Sequence, residues 1–146
     1  MTELEAIRLI EDAWRETPYP GDNRIVPPAS HDFDGIEDYF RGTSWHGHSP
    51  VNLRCHSAAF SYFTPHAFHY WLPAFMIAAI QNPAEADVIC KYIPRSLNNS
   101  YSLERLSLFS PEQKRSVVAY LRFQIEKFPD LTLDERTALA ILEQAA

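Results

Sequence analysis

The chain has 146 residues and a net charge of −6, from 13 basic and 19 acidic side chains. That length fits one domain, 1–146, and can bury about 70% of the surface its unfolded form exposes, so a core needs neither metal nor disulfide. The acidic balance argues against a nucleic-acid partner, whose phosphates need clustered Lys and Arg.

Helix starts are marked by capping pairs. Thr2/Glu5, Ser110/Gln113 and Thr132/Glu135 each place a hydroxyl three residues before a Glu or Gln, the pattern that satisfies orphan backbone donors. After Thr2, Leu4, Ile7, Ile10 and Trp14 recur at steps of three and four, which predicts an amphipathic helix over about 3–16. Tyr19-Pro20-Gly21-Asp22 carries the residues of a type II turn. A second helix is expected over about 32–41, with Phe33, Ile36 and Phe40 as its apolar stripe and Gly42 as its stop. A loop, 42–50, and short helical turns over 51–63 lead to the most apolar run of the chain.

In that run, TPHAFHYWLPAFMIAAI, Thr64 caps and Pro65 opens a helix. Pro73 then removes one N–H and pushes off the carbonyl of His69, so a kink or a break is expected, with the His69 oxygen needing a new donor. Phe68, Trp71, Leu72, Phe75 and Ala79 fall on the side expected to anchor the core. A helix over about 83–92 closed by Pro94, one or two turns in 101–109 after a loop at Asn98-Asn99-Ser100, and helices at about 111–127 and 133–144 complete the chain. The expected fold is all-α: one compact domain of about six or seven helices with a Pro-kinked central helix. Cys55 and Cys90 have no zinc spacing and read as buried free thiols.

The order of YPGD (Tyr19–Asp22), an acidic helix DFDGIEDYFRG, Trp45, YWLPAF and a late LSLFSPEQKRSVVAYL resembles a family of small bacterial proteins, the domain-of-unknown-function family numbered six-seven-one-four. The likeness spans about residues 5–125 and is most specific in YPGD and YWLPAF, with Trp71 standing where a second tyrosine is expected. It implies a bacterial cytosolic setting and transfers no activity, cofactor or catalytic residue.

Chemistry has few footholds. All six histidines fall between His31 and His69, and His46, His48, His66 and His69 with nearby carboxylates give the residue types of a metal site. A metal-dependent hydrolase built on this segment is therefore an alternative, although no ligand signature matches. There is no nucleophile elbow and no phosphate-binding glycine loop, and the apolar run is shorter than a membrane span. The charge is more telling. Residues 1–48 hold ten acids against four arginines, while the other 98 residues are balanced. Tyr19, Asp34, Glu37, Asp38, Tyr39 and Trp45 interleave aromatics with carboxylates, which suits recognition of a basic protein. The reading that follows is a cytoplasmic, non-enzymatic protein-binding protein without cofactor. Its specific form is an immunity or antitoxin-like protein covering a basic toxin, with a structural or regulatory subunit as a further alternative.

Overall fold

A computed structural model describes residues 1–99 and 102–145. Ser100, in the expected loop, and Tyr101, in the expected turn segment, lie outside the described residues. Among the described residues there are ten α-helices and no strand. They are α1 Glu3–Trp14, α2 Ile36–Phe40, α3 Pro50–Cys55, α4 Ala59–Tyr62, α5 Pro65–Gln81, α6 Pro83–Ala86, α7 Ile89–Leu97, α8 Ser102–Leu106, α9 Pro111–Lys127 and α10 Leu133–Ala145. The excess over six or seven comes from α3 and α4, in the segment expected as short helical turns, and from the division of the helix expected over 83–92 into α6 and α7. No helix is long and apolar enough to cross a membrane.

The central element is α5. Thr64 caps it by accepting the Ala67 N–H at 3.1 Å, with Pro65 in the first turn. Its hydroxyl proton goes to the Arg24 carbonyl and its N–H to the Ile25 carbonyl, which ties the helix start to the N-terminal segment. Phe68, Trp71, Leu72, Phe75 and Ala79 are buried as the helical wheel requires, but Tyr70, Pro73, Ala74, Met76, Ala78 and Ile80 are buried too. The helix is enclosed on nearly all sides, by α1, α3, α6, α7 and α8. That explains why its sequence is apolar all round rather than striped.

α5 passes through Pro73 without a break, so the restart considered at Pro73 does not occur. The carbonyl that Pro73 leaves without its usual donor is that of His69, and it is not orphaned. Trp14 Nε1–H, from the last position of α1, donates to it at 2.8 Å. The same junction receives Gln113. Its Oε1 accepts the Ser110 N–H at 2.9 Å, completing the capping box of α9, and lies 2.7 Å from His69 Nε2. Its Nε2 donates to the Ala13 carbonyl at 3.2 Å and the Thr17 hydroxyl at 3.0 Å. An amide oxygen only accepts, so His69 must carry its proton on Nε2. Phe109 packs edge-on against Trp14 and against His69. One buried amide therefore joins α1, α5 and α9.

Four other expectations change. α1 buries Ala6, Ile10 and Trp14, whereas Leu4 is exposed. The helix expected over 83–92 is two helices, parted at Asp87, whose φ of +48° breaks the path. Pro94 does not close α7 but sits buried inside it, and the helix runs on to Leu97. Neither thiol is buried: Cys55, at the end of α3, is exposed and Cys90 is half-buried, both free. Between α9 and α10, Gln124 donates to the buried Tyr120 hydroxyl. Gln124 Oε1 and Glu135 Oε2 are buried there without a hydrogen-bond partner.

Candidate partner interface

The segment between α1 and α3 is held against α5 largely by side chains. Gly21 has φ +101° and ψ 147°, a backbone only glycine adopts with ease; the ψ is far from the value near zero of a type II turn. Instead the Tyr19 hydroxyl closes the bend. It donates to Asp22 at 2.6 Å and accepts the Gly42 N–H at 2.9 Å. The Tyr19 ring stands edge-on to Tyr70 and Trp71 of α5. Trp71 Nε1–H donates to the Thr43 hydroxyl at 3.1 Å, and that hydroxyl donates to the Phe40 carbonyl at 2.8 Å. Tyr19 is thus a half-buried staple, and YPGD and YWLPAF, far apart in sequence, form one contact.

Next to this anchored segment lies the acidic loop and helix 31–41. The Asp32 carboxylate accepts the N–H groups of Ile36 at 3.0 Å and Glu37 at 2.8 Å, and Gly35 takes the left-handed conformation at φ +69°. These two residues delay the helix until Ile36. Phe33, expected on the buried stripe of a helix from 32, therefore sits in the loop, out of phase with Ile36 and Phe40, and is 89% exposed. It stacks on His31 with ring centroids 5.9 Å apart and planes 13° from parallel. Asp34 and Asp38 are exposed and Glu37 is partly so. Arg41 pairs with Glu37 at 2.6 Å and Asp38 at 3.1 Å. Residues 31–41 thus hold four carboxylates and one guanidinium beside one exposed phenyl ring.

Tyr39 faces the other way. Its hydroxyl lies 2.8 Å from His48 Nδ1, its ring stacks on His56 at 3.9 Å and meets Phe40 edge-on at 4.7 Å. His48 Nε2 is 2.7 Å from the Ser44 carbonyl, which only accepts, so Nε2 carries the proton and Nδ1 receives the tyrosine O–H. Burial lowers the His48 pKa from its usual value and raises that of Tyr39. Both causes favour a neutral pair. Trp45 is 5% exposed and offers a partner no side-chain surface. Of the six residues expected to form the interface, Asp34, Glu37 and Asp38 share α2 and the turn before it. Tyr19 and Tyr39 flank them as half-buried supports, and Trp45 belongs to the core.

The four histidines expected as metal ligands fall in two places. His46 and His48 line a cleft of about 280 Å³ with Glu11 and Ile77, whereas His66 and His69 lie on α5. Among the described residues no three His, Cys, Asp or Glu side chains are grouped so as to hold a metal ion. His69 is committed to Gln113, and burial lowers its pKa as it does that of His48. What the pattern missed was Phe33. The signal was present in Asp32 and Gly35, a carboxylate cap followed by the residue best suited to a left-handed turn.

No curated protein matches this chain, and no solved structure matches it. A family model covers residues 5–144, reaching into α10 and beyond the span of the motifs above. With nearly all of its length so matched, the chain belongs to DUF6714, a family of unknown function.

Proposed function

We propose that this chain binds a basic protein through residues 31–41, with Phe33 as the apolar anchor and Asp34, Glu37 and Asp38 as the charged rim. The observation that supports this reading is the 89% exposure of Phe33 in a loop whose backbone is fixed on both sides. A phenyl ring moved from water into a pocket gains about 1.5–3 kcal/mol. A ring already held outward pays less ordering entropy on binding than a mobile one. Aromatic side chains are the common anchors of interfaces, and rim carboxylates raise encounter rates with cationic partners. Arg41 keeps Glu37 and Asp38 in place and must share them with an incoming Lys or Arg. Neutralising a basic toxin by covering it, as immunity and antitoxin proteins do, is the specific form we propose.

The test is affinity capture from the native host with wild type, Phe33→Ala and the triple variant Asp34→Asn/Glu37→Gln/Asp38→Asn. The kinetics of the captured protein follow, measured between low and physiological salt. Phe33→Ala is expected to speed dissociation by tenfold or more. The triple variant is expected to slow association and flatten its salt dependence, since rim charges are screened over about 8 Å at physiological ionic strength. A partner retained equally by all three proteins refutes this interface.

A further inference from the structure

A second surface, built from other elements, has a different chemistry. α9 packs between α1 and α10, and with α10 and Met1 it lines a trough of about 740 Å³. Val118, Ala119 and Phe123 of α9 and Leu142 of α10 give it apolar walls. Lys114 and Arg115 stand at one end, and among the described residues neither has a carboxylate within ion-pair distance. At the other end Arg122 is already paired with Glu143 at 2.6 Å, and Glu126 adds an acid with no ion pair among the described residues. The charge therefore runs from cationic to anionic along an apolar channel.

We propose that this trough binds a soluble amphipathic carboxylate: an apolar chain whose anionic head is held by Lys114 and Arg115. The polarity fixes the direction, because the Glu126 end repels a second anionic group. The dimensions fit one chain. From Arg115 to Glu126 a helix rises ~16 Å, and the volume lies within the range of small-molecule sites, about 300–1,000 Å³. A partner helix of that length, 10–12 Å across, occupies roughly 1,300–1,800 Å³, so about half of it would remain outside, whereas a single alkyl chain is enclosed. Ala119 makes the room; a larger side chain there would close the channel from its floor. The trough shares no residue with the loop 31–41, so either proposal can fail without the other.

The experiment titrates the full chain with dodecanoate below its micellar concentration, by calorimetry and by amide chemical shifts along α9. Dodecyltrimethylammonium, with the same tail and a cationic head, is the control. One saturable site is expected, with shifts centred on residues 114–123 and the cationic analogue at least tenfold weaker. Lys114→Glu/Arg115→Glu is expected to weaken dodecanoate at least tenfold. Ala119→Trp is expected to abolish binding with an unchanged circular dichroism spectrum, and Phe33→Ala to leave binding intact. Equal affinity for both heads, or full affinity in the charge-reversed variant, overturns the proposal. So does binding only to anionic lipid vesicles or only to an acidic amphipathic peptide, with none to monomeric dodecanoate.

Discussion

Replacing Trp14 by Phe removes the donor that serves the His69 carbonyl, and the structure predicts how that loss can be repaired. The carbonyl is available to Trp14 only because Pro73 lacks an N–H. Trp14→Phe leaves a buried acceptor unmet, at about 1–3 kcal/mol, and adds the cavity left by the smaller ring. Pro73→Ala supplies an N–H at the position four residues after His69. In the wild type that N–H meets an oxygen already engaged, so it adds little and loses some packing. In the Trp14→Phe background it restores the missing bond. The double-mutant cycle isolates this term, because the ring-size loss occurs in both of its arms and cancels. A favourable coupling of ~1–2 kcal/mol is expected, within the range for contacting residues. The assay is urea unfolding followed by far-UV circular dichroism, since Trp14 is itself one of three tryptophans and fluorescence would report the substitution. For a chain of this size, each kcal/mol also moves Tm by about 2–4 °C. A coupling below about 0.3 kcal/mol would show that the indole and the proline are energetically independent, and the account of the junction would fall.

Gln113→Ala is expected to lower the unfolding free energy by about 2–4 kcal/mol in the same assay, because it strips partners from Ser110 N–H, His69 Nε2, the Ala13 carbonyl and the Thr17 hydroxyl at once. The folded pKa values of His48 and His69 lie below the usual histidine value of 6.5, so the stability they contribute is present above that pH and is lost as pH falls through their folded values. Urea midpoints taken downward from pH 7.5 should therefore drop below about 6.5, and His69→Gln should reduce the drop. Burial raises the Glu135 pKa, which gives the opposite sign: its contribution is present below the usual value of 4.5 and disappears as pH rises. Glu135→Gln should therefore raise the urea midpoint at pH 7 and leave it nearly unchanged at pH 4; a fall at pH 7 would mean that the buried carboxylate has a partner.

The parts of this fold that could be read from the chain are those governed by local chemistry. The start of α9 follows from Ser110, Pro111 and Gln113, and that of α5 from Thr64 and Pro65, because capping acts within four residues. The need of the His69 carbonyl for a donor was equally readable, since it follows from Pro73 alone. That the donor is Trp14 was not, because 55 residues separate the two and no periodicity encodes which neighbour arrives. Pro94 misled for a related reason: proline disfavours a helix interior, but burial of Ile89, Ile93 and Leu97 carries α7 past it. At the interface, composition identified the acidic segment, whereas the helical template placed Phe33 inward. Asp32 and Gly35 moved the helix start by four residues and so turned that ring to solvent.

The junction at Gln113 also orders events during synthesis. Trp14 must wait for His69, 55 residues later, and Ala13 for Gln113, 100 residues later. At ~5–20 residues per second that second interval lasts roughly 5–20 s. Throughout it α1 is complete yet has no α9 to lie against, and the side of it that meets α9 stays uncovered even after α5 has reached its indole. α1 is therefore secured only once α9 has been made, and a nascent chain halted before α9 would present that uncovered side to whatever chaperone or protease meets it.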